Sequence, residues 1–413
     1  MLIIFILKII TNVMNRKSRY NIIIDFDKSF NSYIYDKNSR KSYLDFFGQY
    51  ATLAIGYNND IFKNTSFLKE MKSVSKQKIV NNEILSTEGK SFDKIFSDYV
   101  SNKKFDYFHY ACTGALAVEA AIKTAMDYKK GCRDVISFKG SFHGINGYGG
   151  MITHRFDPVS KRLNGFPRSN WTQLENPIYE YKNNKRFINY EKFEKCIKKL
   201  ELKLSNNKAC CVLIEPIQCT FGDQYFPKIF LKKVRELCNK YKTPLIFDEI
   251  QTGFCATGKK WFYEHTEIIP DIVIFGKKTQ LSGIMVNKKF SNIFQNPLRL
   301  EVTWDADIVD MVRCKYIIKA YKKYNVLKKV NENSDLFYKN LFQISGLFNI
   351  RRSGLLFAFD LENNTKRNNF VNKLTKNGLL CNPTRDKTVR FRPSLFVNKK
   401  EINTASNIIS DSM

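Results

Sequence analysis

Short, continuous apolar runs recur along the chain, separated by polar or amphipathic stretches. The clearest of them cover residues 135–138, 211–214, 245–247 and 272–275. Apolar runs without alternation are typical of strands buried on both faces of a parallel sheet, and the carboxyl ends of such strands carry functional groups. The pattern therefore predicts an α/β fold built on a mainly parallel sheet.

The length of the chain and the distribution of these runs predict its division into domains. The 413 residues correspond to roughly two to three domains. We expect a large domain over residues 59–325 and a smaller α+β domain over residues 326–413, to which residues 1–58 contribute. Within the smaller domain, residues 352–359 are predicted to form one strand and residues 369–376 a helix.

Two of the apolar runs are followed directly by charged side chains. Asp248 and Glu249 follow residues 245–247, and Lys277 follows residues 272–275 after one glycine. The chemistry of pyridoxal phosphate (PLP) needs such a pair, because a lysine holds the aldehyde as a Schiff base and an aspartate keeps the pyridine nitrogen protonated. Strand ends of any α/β protein are rich in Asp and Lys, so an ordinary structural pair is the alternative.

Two turns add further candidate groups. Thr113, Gly114 and Ala115 open a helical run whose first backbone N–H groups are available to a phosphate, although an ordinary Thr-capped helix start is the alternative. Phe142 follows another apolar run and is suited to stack on a flat heteroaromatic ligand, with a core phenylalanine as the alternative. The neighbouring His143 is expected to be a hydrogen-bonded structural histidine.

Taken in order, the phosphate turn, the stacking ring, the acid and the amine resemble the fold-type I, class III (ω-) aminotransferases. Within that class the chain is most similar to the L-lysine 6-aminotransferases, also called lysine ε-aminotransferases. The similarity extends from about Tyr20 nearly to the C-terminus. It is carried by GALAVE at 114–119, GFPRSNW at 165–171, FGKKTQ at 275–280, Thr303-Trp304, VDMVR at 309–313 and VRFRP at 389–393.

The resemblance implies PLP as the cofactor and a large domain with a mainly parallel sheet of the seven-stranded type. It also assigns contacts with the cofactor to matching positions. These are Lys277 as the Schiff-base lysine, Asp248 as the partner of the pyridinium nitrogen, Gln251 as a donor to the phenolic oxygen, Gly114 and Ala115 as backbone ligands of the phosphate, and Phe142 as the stacking ring.

The resemblance also implies partners and a reaction. Thr303 matches a hydroxyl that reaches the phosphate of the neighbouring subunit's cofactor, which implies a homodimer with shared active sites. Arg390 matches the arginine that receives the substrate α-carboxylate, for which a planar guanidinium fork is well suited. The implied reaction moves the ε-amino group of L-lysine, or a related terminal amine, to 2-oxoglutarate. Its products are 2-aminoadipate 6-semialdehyde and glutamate.

Several positions depart from the family pattern. In the family, a Gly-Glu-Gly-Gly turn supplies a glutamate that masks the carboxylate-binding arginine, whereas Thr220 stands there in this chain. An arginine that follows the Phe-His-Gly turn in the lysine enzymes is here Ile145. Asp305 would repel a bound phosphate unless it turns to solvent. These departures support an alternative, a degenerate or substrate-shifted enzyme that keeps the PLP site but uses another amine or is inactive.

The charge balance suggests a second alternative, a basic nucleic-acid-binding protein. The chain carries 68 basic and 39 acidic residues, a net charge of +29. The basic residues are scattered, and no zinc-ligand spacing, RNA-recognition motif or compact basic arm accompanies them. A solvated basic surface is therefore the preferred interpretation, with no nucleic-acid partner.

Cysteine usage and the N-terminal residues bear on the location of the protein. The ten cysteines contain no Cys-x-x-Cys pair and only four histidines are present, so no metal site is predicted. Reduced thiols fit a cytoplasmic protein. The apolar residues 1–10 are too short to span a bilayer, and we expect Met14 to be the true start and no membrane association.

Overall fold

The structure is a computed structural model that describes residues 19–78, 83–154, 164–167, 169–182 and 184–413. Its strands are β1 Ile24–Phe30, β2 Tyr33–Asp36, β3 Ser42–Asp45, β4 Tyr107–Ala111, β5 Asp134–Phe138, β6 Gln173–Leu174, β7 Glu180–Lys182, β8 Lys185–Phe187, β9 Ala209–Ile214, β10 Ile217–Gln218, β11 Gln224–Tyr225, β12 Leu245–Asp248, β13 Ile272–Phe275, β14 Ser282–Val286, β15 Phe348–Ser353, β16 Leu356–Asp360, β17 Leu379–Leu380, β18 Asn382–Thr384 and β19 Thr388–Phe391. Its α-helices are α1 Thr65–Val74, α2 Thr87–Val100, α3 Gly114–Tyr128, α4 Gly147–Ile152, α5 Tyr190–Ser205, α6 Lys228–Lys240, α7 Tyr263–Thr266, α8 Ser291–Phe294, α9 Ile308–Lys323, α10 Val326–Phe342, α11 Asn364–Lys376 and α12 Lys399–Asp411.

A seven-stranded sheet forms the centre of the chain, in the order β4-β14-β13-β12-β9-β5-β6. Strand β14 pairs antiparallel with both of its neighbours, while the pairs on the β12 side are parallel. Strands β12 and β13 lie side by side, with Asp248 opposite Ile274. The predicted α/β class with a mainly parallel sheet is confirmed, and the carboxyl ends of β12 and β13 meet at one edge of the sheet.

The apolar runs are continuous because the central strands have a core on each face. In β12, Leu245 and Phe247 belong to the larger hydrophobic cluster, while Ile246 points into the second one. All three side chains are fully buried. Helix α3 covers the second face with small residues, among them Ala117 and Ala121, which allow it to approach the strands closely. This packing fixes the start of the helix beside the strand ends.

Two smaller sheets flank the central one. One has the order β1-β2-β3-β17 and pairs the N-terminal strands with residues 379–380. The other has the order β15-β16-β19-β18, and its strand β19 carries Arg390. The domain boundaries at 58/59 and 325/326 remain predictions. Within the described ranges, we find no helix with the length and apolar character needed to cross a membrane.

The prediction of one strand over residues 352–359 was wrong. The segment forms a hairpin in which β15 ends at Ser353 and β16 begins at Leu356. Gly354 makes the turn at φ +52°, and a Cβ at this position would lie 2.4 Å from the carbonyl oxygen of Ala256. The helix predicted at 369–376 is present but begins at Asn364, because the side chain of Asn363 caps it by accepting from the Lys366 N–H.

Candidate active site

A cavity of about 540 Å³ opens at the carboxyl ends of β12 and β13. Six of the predicted cofactor residues line it together, and they come from four separate segments of the chain. These are Gly114, Ala115, Phe142, Asp248, Gln251 and Lys277. Ile145 and Glu215 line the same space. The structure thus brings together residues that are far apart in sequence, while their individual roles remain predictions.

Asp248 ends strand β12, and its carboxylate is held by two hydrogen bonds. Its Oδ2 lies 2.8 Å from Nδ1 of His143, and its Oδ1 accepts from the Ile250 N–H at 3.2 Å. Both Asp248 and His143 are buried. The histidine is hydrogen-bonded, as expected, but its partner is the candidate catalytic acid. The sequence showed the Phe-His-Gly turn without showing which group the histidine would reach.

Glu215 is a second buried carboxyl beside Asp248. Burial raises its pKa well above the ordinary range, and the neighbouring Asp248 raises it further. Its Oε1 accepts from the backbone N–H of Phe142 at 2.7 Å. Glu215 therefore fixes the turn that carries the aromatic ring, and its raised pKa makes a second negative charge next to Asp248 less favourable.

Lys277 follows β13 in the left-handed region, at φ +54°. Its Nζ donates to the carbonyl oxygen of Tyr50 at 3.0 Å. Burial lowers its pKa to about 8, and Arg390 and Arg392 also lower it. The next residue, Lys278, does not line this cavity, and its Nζ donates to the Leu53 carbonyl at 3.1 Å. The cavity thus holds an amine that is readily deprotonated.

Gln251 is oriented by a buried arginine. Its Oε1 accepts from Nε of Arg392 at 3.0 Å, and Nη2 of Arg392 also donates to Asp223. An arginine can only donate, so the amide oxygen of Gln251 faces it and the NH₂ group is left for the cavity. The role of Gln251 as a donor to a phenolic oxygen remains a prediction.

The start of helix α3 forms the other end of the cavity. Within the described residues, the N–H groups of Gly114 and Ala115 have no acceptor, while Thr113 caps the helix by accepting from the Leu116 N–H at 3.4 Å. A Cβ on Gly114 would lie 2.9 Å from Cδ1 of Ile250, so a larger residue here would displace the end of that side chain. Free N–H groups at a helix N-terminus favour an anion.

Asp305 lies behind this turn rather than in solvent. It is 1% exposed, and its carboxylate accepts from the N–H groups of Cys112 at 2.9 Å and Val302 at 3.1 Å. Burial alone would raise its pKa, but hydrogen bonds from His109 and these two N–H groups lower it. Asp305 therefore stays ionised and shapes the backbone next to Gly114. Asp305 thus does not turn to solvent, and its repulsion of a bound phosphate stays a prediction.

These features fit PLP. The cavity has an anion-binding turn at one end and a buried carboxylate at the other, with an aromatic ring and a lysine between them. A planar pyridine phosphate needs these groups in one place. Within the described residues, no group of three or more His, Cys, Asp or Glu side chains is arranged to hold a metal ion.

A second cavity, of about 920 Å³, adjoins the first and shares Phe142, Gln251 and Lys277 with it. Arg390 lines it from β19 and donates through Nη1 to the carbonyl oxygen of Cys219. Thr220 lines it too, and its own carbonyl accepts from Oγ1 of Thr384 at 2.7 Å. Arg390 is therefore held by backbone where the family supplies an acid.

Thr303 is placed apart from the other predicted residues. It is exposed, and it lines neither of the two cavities as described here. Val302 and Trp304 on either side of it are also exposed, at 42% and 46%. Its role therefore remains a prediction that depends on a second subunit.

Fold and site together define a PLP-dependent transferase of fold type I. A family model described as aminotransferase class-III matches residues 13–413, and the chain belongs to that family. It is a transaminase, and its cofactor is pyridoxal phosphate.

Two relatives and one solved structure show which members of the family this chain is similar to. The chain is 29% identical over 407 residues to the L-lysine-epsilon aminotransferase of Mycobacterium tuberculosis, covering 93% of this chain and 90% of the relative. It is also 29% identical over 436 residues to the 4-aminobutyrate aminotransferase of Saccharomyces cerevisiae, covering 95% and 90%. A structure of the M. tuberculosis lysine aminotransferase in the internal aldimine form superposes with a TM-score of 0.91 at 26% identity and covers 98% of both chains.

Proposed function

We propose that this transaminase moves the ε-amino group of L-lysine, or a closely related terminal amine, to 2-oxoglutarate. The products would be 2-aminoadipate 6-semialdehyde and glutamate. The observation that carries the proposal is the position of Lys277, which lines both the cofactor-sized cavity and the larger cavity that contains Arg390. This position supports the proposal, because the amine that would react borders both the space for the cofactor and the space around Arg390.

In the proposed reaction, Lys277 would transfer protons and Asp248 would interact with the ring of the cofactor. When bound, PLP supplies an aldehyde that condenses with amines and a protonated ring that withdraws electrons from the substrate carbon. Lys277, with a pKa near 8, is partly neutral at physiological pH and can take a proton from one carbon and return it to another. Asp248, oriented by His143, would be the partner of the pyridine nitrogen when the cofactor is bound.

The carboxylate of the substrate would be bound at a distance from the reacting amine. Arg390 lines the second cavity, and a guanidinium binds a carboxylate through two parallel hydrogen bonds. A substrate held there by its α-carboxylate presents its terminal amine to Lys277 when it has a side chain of the length of lysine. A homodimer in which Thr303 reaches the partner's cofactor site is part of the proposal.

Two departures favour a second candidate, a class III transaminase with a shifted amine or with none. Thr220 offers Arg390 a neutral side chain, and Ile145 is 56% exposed at the cavity where a cation was expected. The similarity to a 4-aminobutyrate aminotransferase shows that a different terminal amine is compatible with this degree of relatedness.

The visible absorption spectrum of the purified holoenzyme separates these candidates. L-Lysine added without an oxo acid should convert the band of the lysine-bound cofactor into that of the amine form. L-Ornithine and 4-aminobutyrate serve as matched donors of different length and charge. Conversion by 4-aminobutyrate but not by L-lysine would reject the lysine assignment, and no conversion by any of the three would support an inactive or more distantly shifted enzyme.

A further inference from the structure

The cavity that contains Arg390 is strongly basic. Arg19, Arg367 and Arg385 line it as well, whereas Asp386 is the one acid in its lining among the residues that the structure describes. One guanidinium is enough for a single carboxylate. Three further arginines line the same space, which is more positive charge than one carboxylate requires.

Arg367 is the best defined of these additional cations. It projects from α11 and is 8% exposed. Its Nη1 donates to the carbonyl oxygen of Thr384 at 3.4 Å, while its buried Nε has no partner among the described residues. It forms no ion pair within the described ranges. Asp386 acts on Arg367 through its charge without forming a hydrogen bond or ion pair with it among the described residues. A buried guanidinium without a directly paired acid is unfavourable, so this side chain leaves a place for an anion.

Arg385 is positioned at the same cavity by an aromatic ring. Its guanidinium carbon lies 3.6 Å from the ring centroid of Phe221, the residue next to Thr220. Stacking holds the plane of the guanidinium and leaves its N–H groups pointing outward from the ring edge. In the part of the chain that is described, Arg385 makes no hydrogen bond or ion pair.

Two acids act on Arg385. Burial lowers its pKa, and Asp386 in the cavity lining opposes this more strongly than Asp360 does. Within the described residues Asp386 forms no hydrogen bond or ion pair with Arg385, and the two carboxylate oxygens of Asp360 accept from Nη1 and Nη2 of Arg351 at 3.1 and 2.8 Å. Arg385 therefore has no directly paired acid among these residues, and Asp386 offsets only part of the positive charge of the four arginines in the lining.

The strand pair β18–β19 connects the basic groups. Asn382 lies opposite Arg390 in the register, and its side chain accepts from Nη1 of Arg19 at 3.2 Å. Two residues further along β18, Thr384 contacts both Arg367 and Thr220. The cations thus follow one hairpin from Arg390 towards its turn, where Arg385 is located.

We propose that Arg385 and Arg367 bind the second carboxylate of a dicarboxylate substrate whose first carboxylate is held by Arg390. The inference deepens the proposed function, on which it depends, by naming the two side chains of this chain that would hold the second carboxylate of the amino acceptor. It also accounts for Ile145, because the second cation is supplied from the hairpin rather than from the Phe-His-Gly turn.

Binding of non-reacting acids to the holoenzyme tests this assignment without requiring turnover. Glutarate carries two carboxylates, butyrate is the matched monocarboxylate, and 4-phosphonobutyrate replaces one carboxylate by a phosphonate. Dissociation constants would be measured by calorimetry for the wild type, Arg385→Gln and Arg367→Gln. Arg186→Gln is the matched control, because Arg186 also stacks on a ring, that of Tyr179, at 4.9 Å but outside this cavity.

We expect each cavity variant to weaken glutarate binding by about ten- to a hundredfold, the effect of one charged hydrogen-bond partner. Butyrate binding and the Arg186→Gln variant should be unaffected. Equal affinity for glutarate and butyrate, or unchanged glutarate binding in Arg385→Gln, would overturn the assignment. Tighter binding of 4-phosphonobutyrate than of glutarate would overturn the choice of a carboxylate. If the binding assignment fails but L-lysine is turned over normally, the proposed function still stands. If glutarate binds as expected but L-lysine is not turned over, only the proposed function is rejected.

Discussion

The two sides of the active-site space are built differently. The cofactor-facing side is made of buried strand ends and turns that are cross-linked by hydrogen bonds, as between Asp248 and His143 or between Glu215 and Phe142. The substrate-facing side is made of a hairpin turn and a short loop, where Arg385 stacks on Phe221 and Thr384 donates to the carbonyl oxygen of Thr220. The first side matches the family pattern at the predicted cofactor residues and departs from it at Ile145, while the second departs from it at Thr220. The residues predicted to hold the cofactor are thus retained, and both departures concern groups expected to bind substrate carboxylates.

Removal of the amine from the cofactor-facing side should have the largest effect. Lys277→Ala should lower transamination by at least about 10²- to 10⁴-fold, because the proton-transfer group and the attachment point are lost together. Borohydride reduction and peptide mapping measure the attachment. Lys278→Met is the matched control and should retain it. A reducible adduct at another lysine in Lys277→Ala would reject the assignment.

The contact between His143 and Asp248 should have an intermediate effect. His143→Phe removes a hydrogen bond to a charged acceptor and should lower the rate of the first half-reaction by about ten- to 150-fold with little change in KM. His143→Gln retains a donor and should recover most of the rate. A merely structural role predicts equal loss in both variants, and it predicts no change in the pH titration of the visible band.

The lowered pKa of Lys277 predicts a pH dependence. Its amine is a base only when neutral, and with a pKa of about 8 the neutral fraction rises about tenfold from pH 7 to pH 9. The rate constant of the first half-reaction at saturating donor should rise accordingly, while circular dichroism verifies that the fold persists. A rate that falls over this interval would contradict the role of Lys277 as base.

The smallest effect is expected from restoring the family pattern at Thr220 and Ile145. Thr220→Glu combined with Ile145→Arg should raise kcat/KM with L-lysine and 2-oxoglutarate by up to about fivefold, since exposed ion pairs contribute little. The cofactor spectrum should not change. No gain would indicate that this side has been rebuilt for another amine or for none.

Much of the cofactor-facing side could be predicted because strand ends are visible in the sequence. The apolar runs located Asp248 and Lys277, and the central parallel sheet brings them together. The partners of these residues could not be predicted in the same way. His143 and Asp248 are 105 residues apart, and only the fold shows that they touch.

The substrate-facing side was harder to predict, since its groups depend on turn geometry. Arg385 has a positive φ of +49° in a turn, and Phe221 meets it from a distant segment. A basic residue in a chain with 68 of them gives no signal by itself. Likewise, the burial of Asp305 depends on N–H groups from two separate loops, which charge alone did not reveal.

Transfer of labelled nitrogen tests the central claim most directly. The holoenzyme would be incubated with 2-oxoglutarate and L-lysine that carries ¹⁵N at the ε-amino group only, and glutamate would be isolated for mass spectrometry. The account predicts ¹⁵N-labelled glutamate together with 2-aminoadipate 6-semialdehyde. Unlabelled glutamate formed from the α-amino group, or no glutamate from an enzyme with fully bound cofactor, would contradict it.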